Sequence, residues 1–133
     1  NISYYGLTAG TAKGGSPESR LAIYKVCYGR GGTSCLGSAI PAAFDDAIND
    51  GVDALSLSLG PFGGIQADLT TDPISIGAFH AVERSIVVVC ATGKDGQPSP
   101  VVNDAPWILT VATSTIDRDL QSIVVLGNNQ VIK

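Results

Sequence analysis

From Ser38 to Gly60 the chain reads SAIPAAFDDAINDGVDALSLSLG. Ile40, Ala43, Phe44, Ala47 and Ile48 fall at i, i+3, i+4, i+7 and i+8, the spacing of one face of an amphipathic helix. Pro41 fits within a first turn, where its missing N–H has no helical partner to lose. Gly51 stands where a helix end wants a left-handed residue. Beyond it, Val52 and Ala54-Leu55-Ser56-Leu57-Ser58-Leu59 read as a strand ended by Gly60-Pro61.

The flanks repeat the alternation. Upstream, Leu21-Ala22-Ile23-Tyr24-Lys25-Val26-Cys27 is a strand-like run behind the turn residues Gly14-Gly15-Ser16-Pro17. Downstream, Asp72-Pro73 has the chemistry of a helix start, Asp at the N-cap and Pro at the first helical position. Ile76, Phe79, His80 and Glu83 carry that helix to about Ser85. Ile86 to Ala91 is continuous and apolar, as expected of a strand buried on both faces, and Ile108 to Thr113 supplies another strand. Strand, helix, strand, helix, strand, loop, strand predicts an α/β fold with a mostly parallel sheet and right-handed helical crossovers. Ligands of such sheets lie at the carboxyl ends of strands, which directs attention to Leu59-Gly60 and to Ala91–Gly96.

Composition narrows the class. The chain has 133 residues, the length of one ordinary domain; it is 44% hydrophobic, 15% charged and 6% aromatic, with 16 glycines. Mean hydropathy is positive at +0.25, which argues against a disordered chain. The charged fraction lies well below the ~25% usual for soluble domains, as for the interior of something larger. A net charge of −4 argues against a nucleic-acid partner. The longest apolar run, Ile86 to Ala91, has six residues, against the ~18 of a membrane span, so no membrane partner is expected. With no Met anywhere and no leader pattern at Asn1, the sequence reads as an internal segment of a longer polypeptide.

Cys27 and Cys35 bracket a loop with Gly29, Gly31 and Gly32, flexible enough for the sulfurs to meet; a disulfide and two free thiols are both open. Cys90, inside Val87-Val88-Val89-Cys90-Ala91, reads as a small buried hydrophobe. Three cysteines and one histidine without close spacing make no zinc site, and neither metal nor cofactor is expected. Asn1-Ile2-Ser3 fits a glycosylation acceptor at Asn1. The sequon, and a disulfide if the two sulfurs pair, would together favour a secreted protein.

Catalytic constellations are incomplete. His80, the single histidine, falls mid-helix away from both strand ends and reads as structural. Asp45 and Asp46 are neighbours on a helix, about 100° apart, and cannot share a site. There is no Gly-x-Ser-x-Gly elbow and no phosphate loop, and glycine-rich Gly10–Gly15 precedes a strand, the wrong place for dinucleotide binding.

Longer stretches resemble plant subtilisin-like serine proteases, most of all the cucumisin-like secreted subtilases. They are Gly10-Thr11-Ala12-Lys13-Gly14-Gly15-Ser16-Pro17 with Arg20–Cys27; Ala42-Ala43-Phe44-Asp45-Asp46-Ala47-Ile48 running through Asp50-Gly51-Val52-Asp53 to Ser56–Gly60; Asp72-Pro73-Ile74 with Ile76–Ala81; Ala105-Pro106-Trp107; and Ser114–Asp119. The likeness covers essentially the whole chain, in order and at normal spacing. It implies the central segment, over residues 1–133, of a partial subtilisin-like three-layer catalytic domain. The family's Asp and His would lie upstream and its nucleophilic Ser downstream, so the chain alone is expected to be inactive. Its partners would be a polypeptide substrate or peptide ligand and the remaining parts of the domain; its location would be secreted, in the extracellular space or cell wall.

Two substrate elements follow from the resemblance. Ser58, Leu59 and Gly60 match the segment whose main chain pairs with extended substrate, and Ala91, Thr92 and Gly93 match the other wall of the primary pocket. The family's Ala-Gly-Asn-x-Gly-Pro is replaced by Thr92-Gly93-Lys94-Asp95-Gly96-Gln97, so Lys94 takes the place of the Asn that donates to the oxyanion. A lysine brings charge on a long flexible stem, poorly preorganised for that role. With Pro41 and the wider Cys27–Cys35 spacing, this departure also fits a diverged, inactive peptide-binding relative, or a truncated product without function.

Overall fold

The computed structural model describes residues 2–11, 14–29, 34–61, 65, 67–93, 101–115 and 122–132. In chain order the elements are β1 (Ile2–Tyr4), β2 (Leu7–Gly10), β3 (Cys27–Tyr28), β4 (Ser34–Cys35), α1 (Ala39–Asp50), β5 (Ala54–Leu57), α2 (Pro73–Glu83), β6 (Val87–Ala91), β7 (Leu109–Val111), β8 (Val124–Val125) and β9 (Val131–Ile132). β5, β6 and β7 form a parallel sheet in that order, with Leu55 opposite Val88, Leu57 opposite Cys90 and Cys90 opposite Thr110. The remaining strands form three separate antiparallel pairs: β1 with β2, β3 with β4 and β8 with β9.

Both helices end in the same way. After α1, Gly51 adopts φ 71°, and the N–H groups of Gly51 and Val52 donate to the carbonyls of Ile48 and Ala47. After α2, Ser85 takes that left-handed role at φ 64°, with Ser85 and Ile86 donating to Val82 and Ala81. These bonds satisfy carbonyls that a helix end would otherwise leave open. At its start, α2 is capped by Asp72, whose Oδ2 accepts from the Ser75 N–H at 2.9 Å and the Ser75 hydroxyl at 2.6 Å. Pro41 lies in the first turn of α1, as its chemistry requires.

The core lies between the helices and one face of the sheet. Ile40 and Phe44 of α1, Ile74, Ala78 and Ala81 of α2, and Ile86, Val88 and Cys90 form one buried cluster, with Leu55, Leu57 and Trp107 partly buried against it. Gly77 lets α1 and α2 approach: a Cβ there would fall 2.2 Å from Phe44 Cδ2. Trp107 Nε1 donates to the Ser75 carbonyl at 2.9 Å and its ring meets Phe79 edge-on, tying the approach to β7 onto α2.

Two expectations are corrected. Leu21–Val26 forms no strand: Leu21 and Ile23 are both 88% exposed, and pairing begins at Cys27. Strand-forming side chains do not make a strand without a neighbour to take the backbone hydrogen bonds. What holds this stretch is Tyr24, whose hydroxyl donates to Asp50 Oδ2 at 2.7 Å, and Val26, packed against the core. Nor is the strand over 86–91 buried on both faces. Val88 and Cys90 are buried by the helices, whereas Val87, Leu109 and Val111 on the other face are about half exposed. Among the described residues the helices cover one face, which makes two of the three expected layers.

Candidate substrate groove at the strand ends

The carboxyl ends of β5 and β6 lie side by side because the strands are parallel and in register. Ser58, Leu59 and Gly60 continue from β5; Ala91, Thr92 and Gly93 close β6, Gly93 with φ 91°. The structure therefore brings together the two segments singled out in the sequence. Ser58, Gly60 and Gly93 are exposed, and Leu59, Ala91 and Thr92 half-buried. Lys94 and the rest of its loop through Gln97 lie outside the described residues, as does Asn1.

A third segment, absent from the sequence reading, joins these ends. Val102 and Asn103 are 2% and 1% exposed. Asn103 Nδ2 donates to the Leu59 carbonyl at 2.8 Å and to the Ala91 carbonyl at 2.9 Å. Its own carbonyl accepts from the Thr110 hydroxyl on β7. The Val102 N–H donates to the Thr92 carbonyl, and the Thr92 N–H to that of Val111, both at 3.2 Å. Val102 Cγ2 fills the space beside two glycines: a Cβ on Gly60 would lie 3.2 Å from it, and one on Gly93 3.4 Å. Asn103 has φ 57°, a left-handed conformation that Asn adopts more readily than most residues. That tolerance was the one available signal, and it does not say which Asn will use it.

The remaining candidates separate from this site. His80 is on the surface, its Nδ1 3.3 Å from Glu83 Oε2 one turn on, with both side chains more than half exposed. Asp45 and Asp46 are exposed on α1. Cys27 and Cys35 face each other across the β3–β4 pair and are bonded, S–S 1.99 Å. Burial, aided by the charge of Asp72, pushes the Cys90 thiol up to about 11, so it stays protonated and inert at neutral pH. Among the described residues no three His, Cys, Asp or Glu side chains come together to hold a metal, and no helix is long and apolar enough to cross a membrane. A groove of about 1260 Å³ opens along β5 opposite its β6 partner, walled by residues 18–27, Phe44 and β5 itself.

The frame is a parallel α/β sheet with helices packed on one face and two strand ends drawn together by a buried Asn. The family model described as the subtilase family matches residues 3–130, and the chain belongs to that family. It is 62% identical over 134 residues to the "CO(2)-response secreted protease" of Arabidopsis thaliana, covering 100% of this chain and 17% of the relative. It is 53% identical over 131 residues to "Subtilisin-like protease SBT5.1" of Arabidopsis thaliana, covering 98% of this chain and 16% of the relative. The chain thus spans about a sixth of the length of these curated relatives. The solved structure of the Prenylagaramide maturation protease PagA aligns with a TM-score of 0.45 at 23% identity, over 57% of this chain and 27% of that one.

Proposed function

We propose that residues 1–133 form the central segment of the catalytic domain of a secreted plant subtilisin-like serine endopeptidase that cleaves extended polypeptides. The observation that carries this is the family match over nearly the whole chain, with relatives that are named as proteases. In this reading Ser58–Gly60 pairs main chain to main chain with the substrate, since an exposed strand edge accepts a peptide as an added strand. Ala91–Gly93 forms the facing wall, where small residues leave room for a substrate side chain. The Asp, His and Ser of the triad come from outside this segment, and so do the elements that would cover the open sheet face and fill the groove along β5. Lys94 occupies the oxyanion position, and Asn1 is a candidate for glycosylation on the secretory route.

Lys94 also favours a second reading, a relative that binds peptides between Ser58–Gly60 and Ala91–Gly93 without cleaving them. A serine-reactive phosphonate separates the two. The full-length polypeptide should be labelled, label should vanish when the family's nucleophilic Ser is replaced by Ala, and the 133-residue segment alone should stay unlabelled. A full-length polypeptide that resists the probe yet binds non-cleavable peptides would overturn the endopeptidase reading in favour of the second.

A further inference from the structure

We infer that Asn103 is a positioning residue which sets the separation of the two groove walls and, through it, how strongly the groove discriminates between substrate side chains. The inference rests on the groove reading above and adds a residue to it. A primary carboxamide nitrogen has two hydrogens to donate. In Asn103 one goes to the carbonyl of Leu59 and the other to that of Ala91, 44 and 12 residues away in sequence, at 2.8 and 2.9 Å. A single buried nitrogen thus fixes the distance between the ends of β5 and β6 beyond their last paired residues, Leu57 and Cys90.

The amide is itself held. The main-chain carbonyl of Asn103 accepts from Thr110, and its neighbour Val102 is bonded to Thr92 and wedged beside Gly60 and Gly93. Because the side chain is buried beneath both walls, it acts through the main chain of Leu59 and Ala91 and not by touching substrate. Removing the donors leaves two carbonyl oxygens without their partner, so the walls gain freedom to part or to turn towards water. A pocket of variable width binds a bulky and a small side chain with more similar affinity.

The test uses the full-length polypeptide and two non-cleavable peptides, with a reduced bond after the residue that enters the groove, identical except for Phe or Ala at that residue. The readout is the ratio of their dissociation constants, which does not depend on turnover and is unaffected by a loss of folded protein. Asn103→Gly keeps the left-handed backbone and deletes the amide; Asn103→Asp keeps the shape and left-handed tolerance but offers one donor at most when protonated and none when ionised. Apolar pockets discriminate over about 10–200-fold, and both variants should lower the ratio by about tenfold. Should the Asp variant fail to fold, the Gly variant decides alone. Ala91→Phe, which narrows the wall directly, serves as the control for the groove itself. An unchanged ratio in the Asn103 variants with a changed ratio in Ala91→Phe overturns the positioning role and leaves the groove intact. A ratio that even Ala91→Phe does not move overturns the groove reading, and the inference with it.

Discussion

In the full-length polypeptide, Lys94→Asn should raise kcat by about 10²–10³-fold while changing KM little. Charge on the substrate oxygen develops only as the tetrahedral intermediate forms, so a donor aimed at that position acts on the transition state and not on the bound substrate. In subtilisin, a relative, the Asn donor at the matching place contributes about 10²–10³ in turnover. In the proposed role an ammonium at position 94 would supply charge, but on a four-carbon stem that is less preorganised than a short carboxamide. Steady-state kinetics on a peptide substrate, normalised to titrated active sites, reads the effect. A kcat unchanged within about twofold would show that position 94 does not face the oxyanion.

Gly77→Ala should destabilise the folded protein by about 2 kcal/mol or more, although alanine is the better helix former by about 1 kcal/mol. The added methyl would meet Phe44 at 2.2, 2.5 and 2.7 Å, where carbon atoms in good contact stay about 3.5–4.0 Å apart. Phe44 is 4% exposed and lies among Ile40, Ile74 and Ala78, so its ring can yield only towards the groove along β5, at the loss of these contacts. The helices must separate, or the ring must take a strained rotamer. Urea unfolding measures the loss, and Phe44→Leu in the same background should recover part of it, since the two sites are in contact and their effects cannot add. A stabilisation of about 1 kcal/mol by Gly77→Ala alone would mean that only helix propensity is felt and that the α1–α2 contact lies elsewhere.

The elements that carry their own signals were legible in the sequence. α1 shows its apolar face and its terminal glycine, α2 its Asp-Pro start, and β5 and β6 their apolar runs; together they announce the parallel α/β sheet. Elements that depend on a partner were not. β1–β2 turns through Tyr5 and Gly6 at φ 49° and 83°, and nothing about a tyrosine advertises a left-handed turn. β8–β9 did carry a cue, Gly127-Asn128-Asn129 between two valine-bearing runs, and Asn129 takes φ 63° there. Leu21–Val26 reads as a strand because its side chains suit one, but strand formation is decided by a neighbour that the described residues do not provide. Ser85 likewise closes α2 in the conformation usually left to glycine. At the candidate site, the resemblance singled out two segments, and the register of β5 against β6 sets their strand ends side by side. Asn103 stayed hidden because its role is a pair of contacts spanning 44 and 12 residues, which no local pattern encodes.

In the proposed function, Ser58–Gly60 and Ala91–Gly93 together hold an extended peptide. A non-cleavable peptide bearing a diazirine on the residue meant to enter the groove can be irradiated on the full-length polypeptide and the attachment sites mapped by mass spectrometry. Attachment within both segments, suppressed by an excess of the same peptide without the diazirine, is the predicted result. Suppressible attachment confined to residues outside both segments would contradict it.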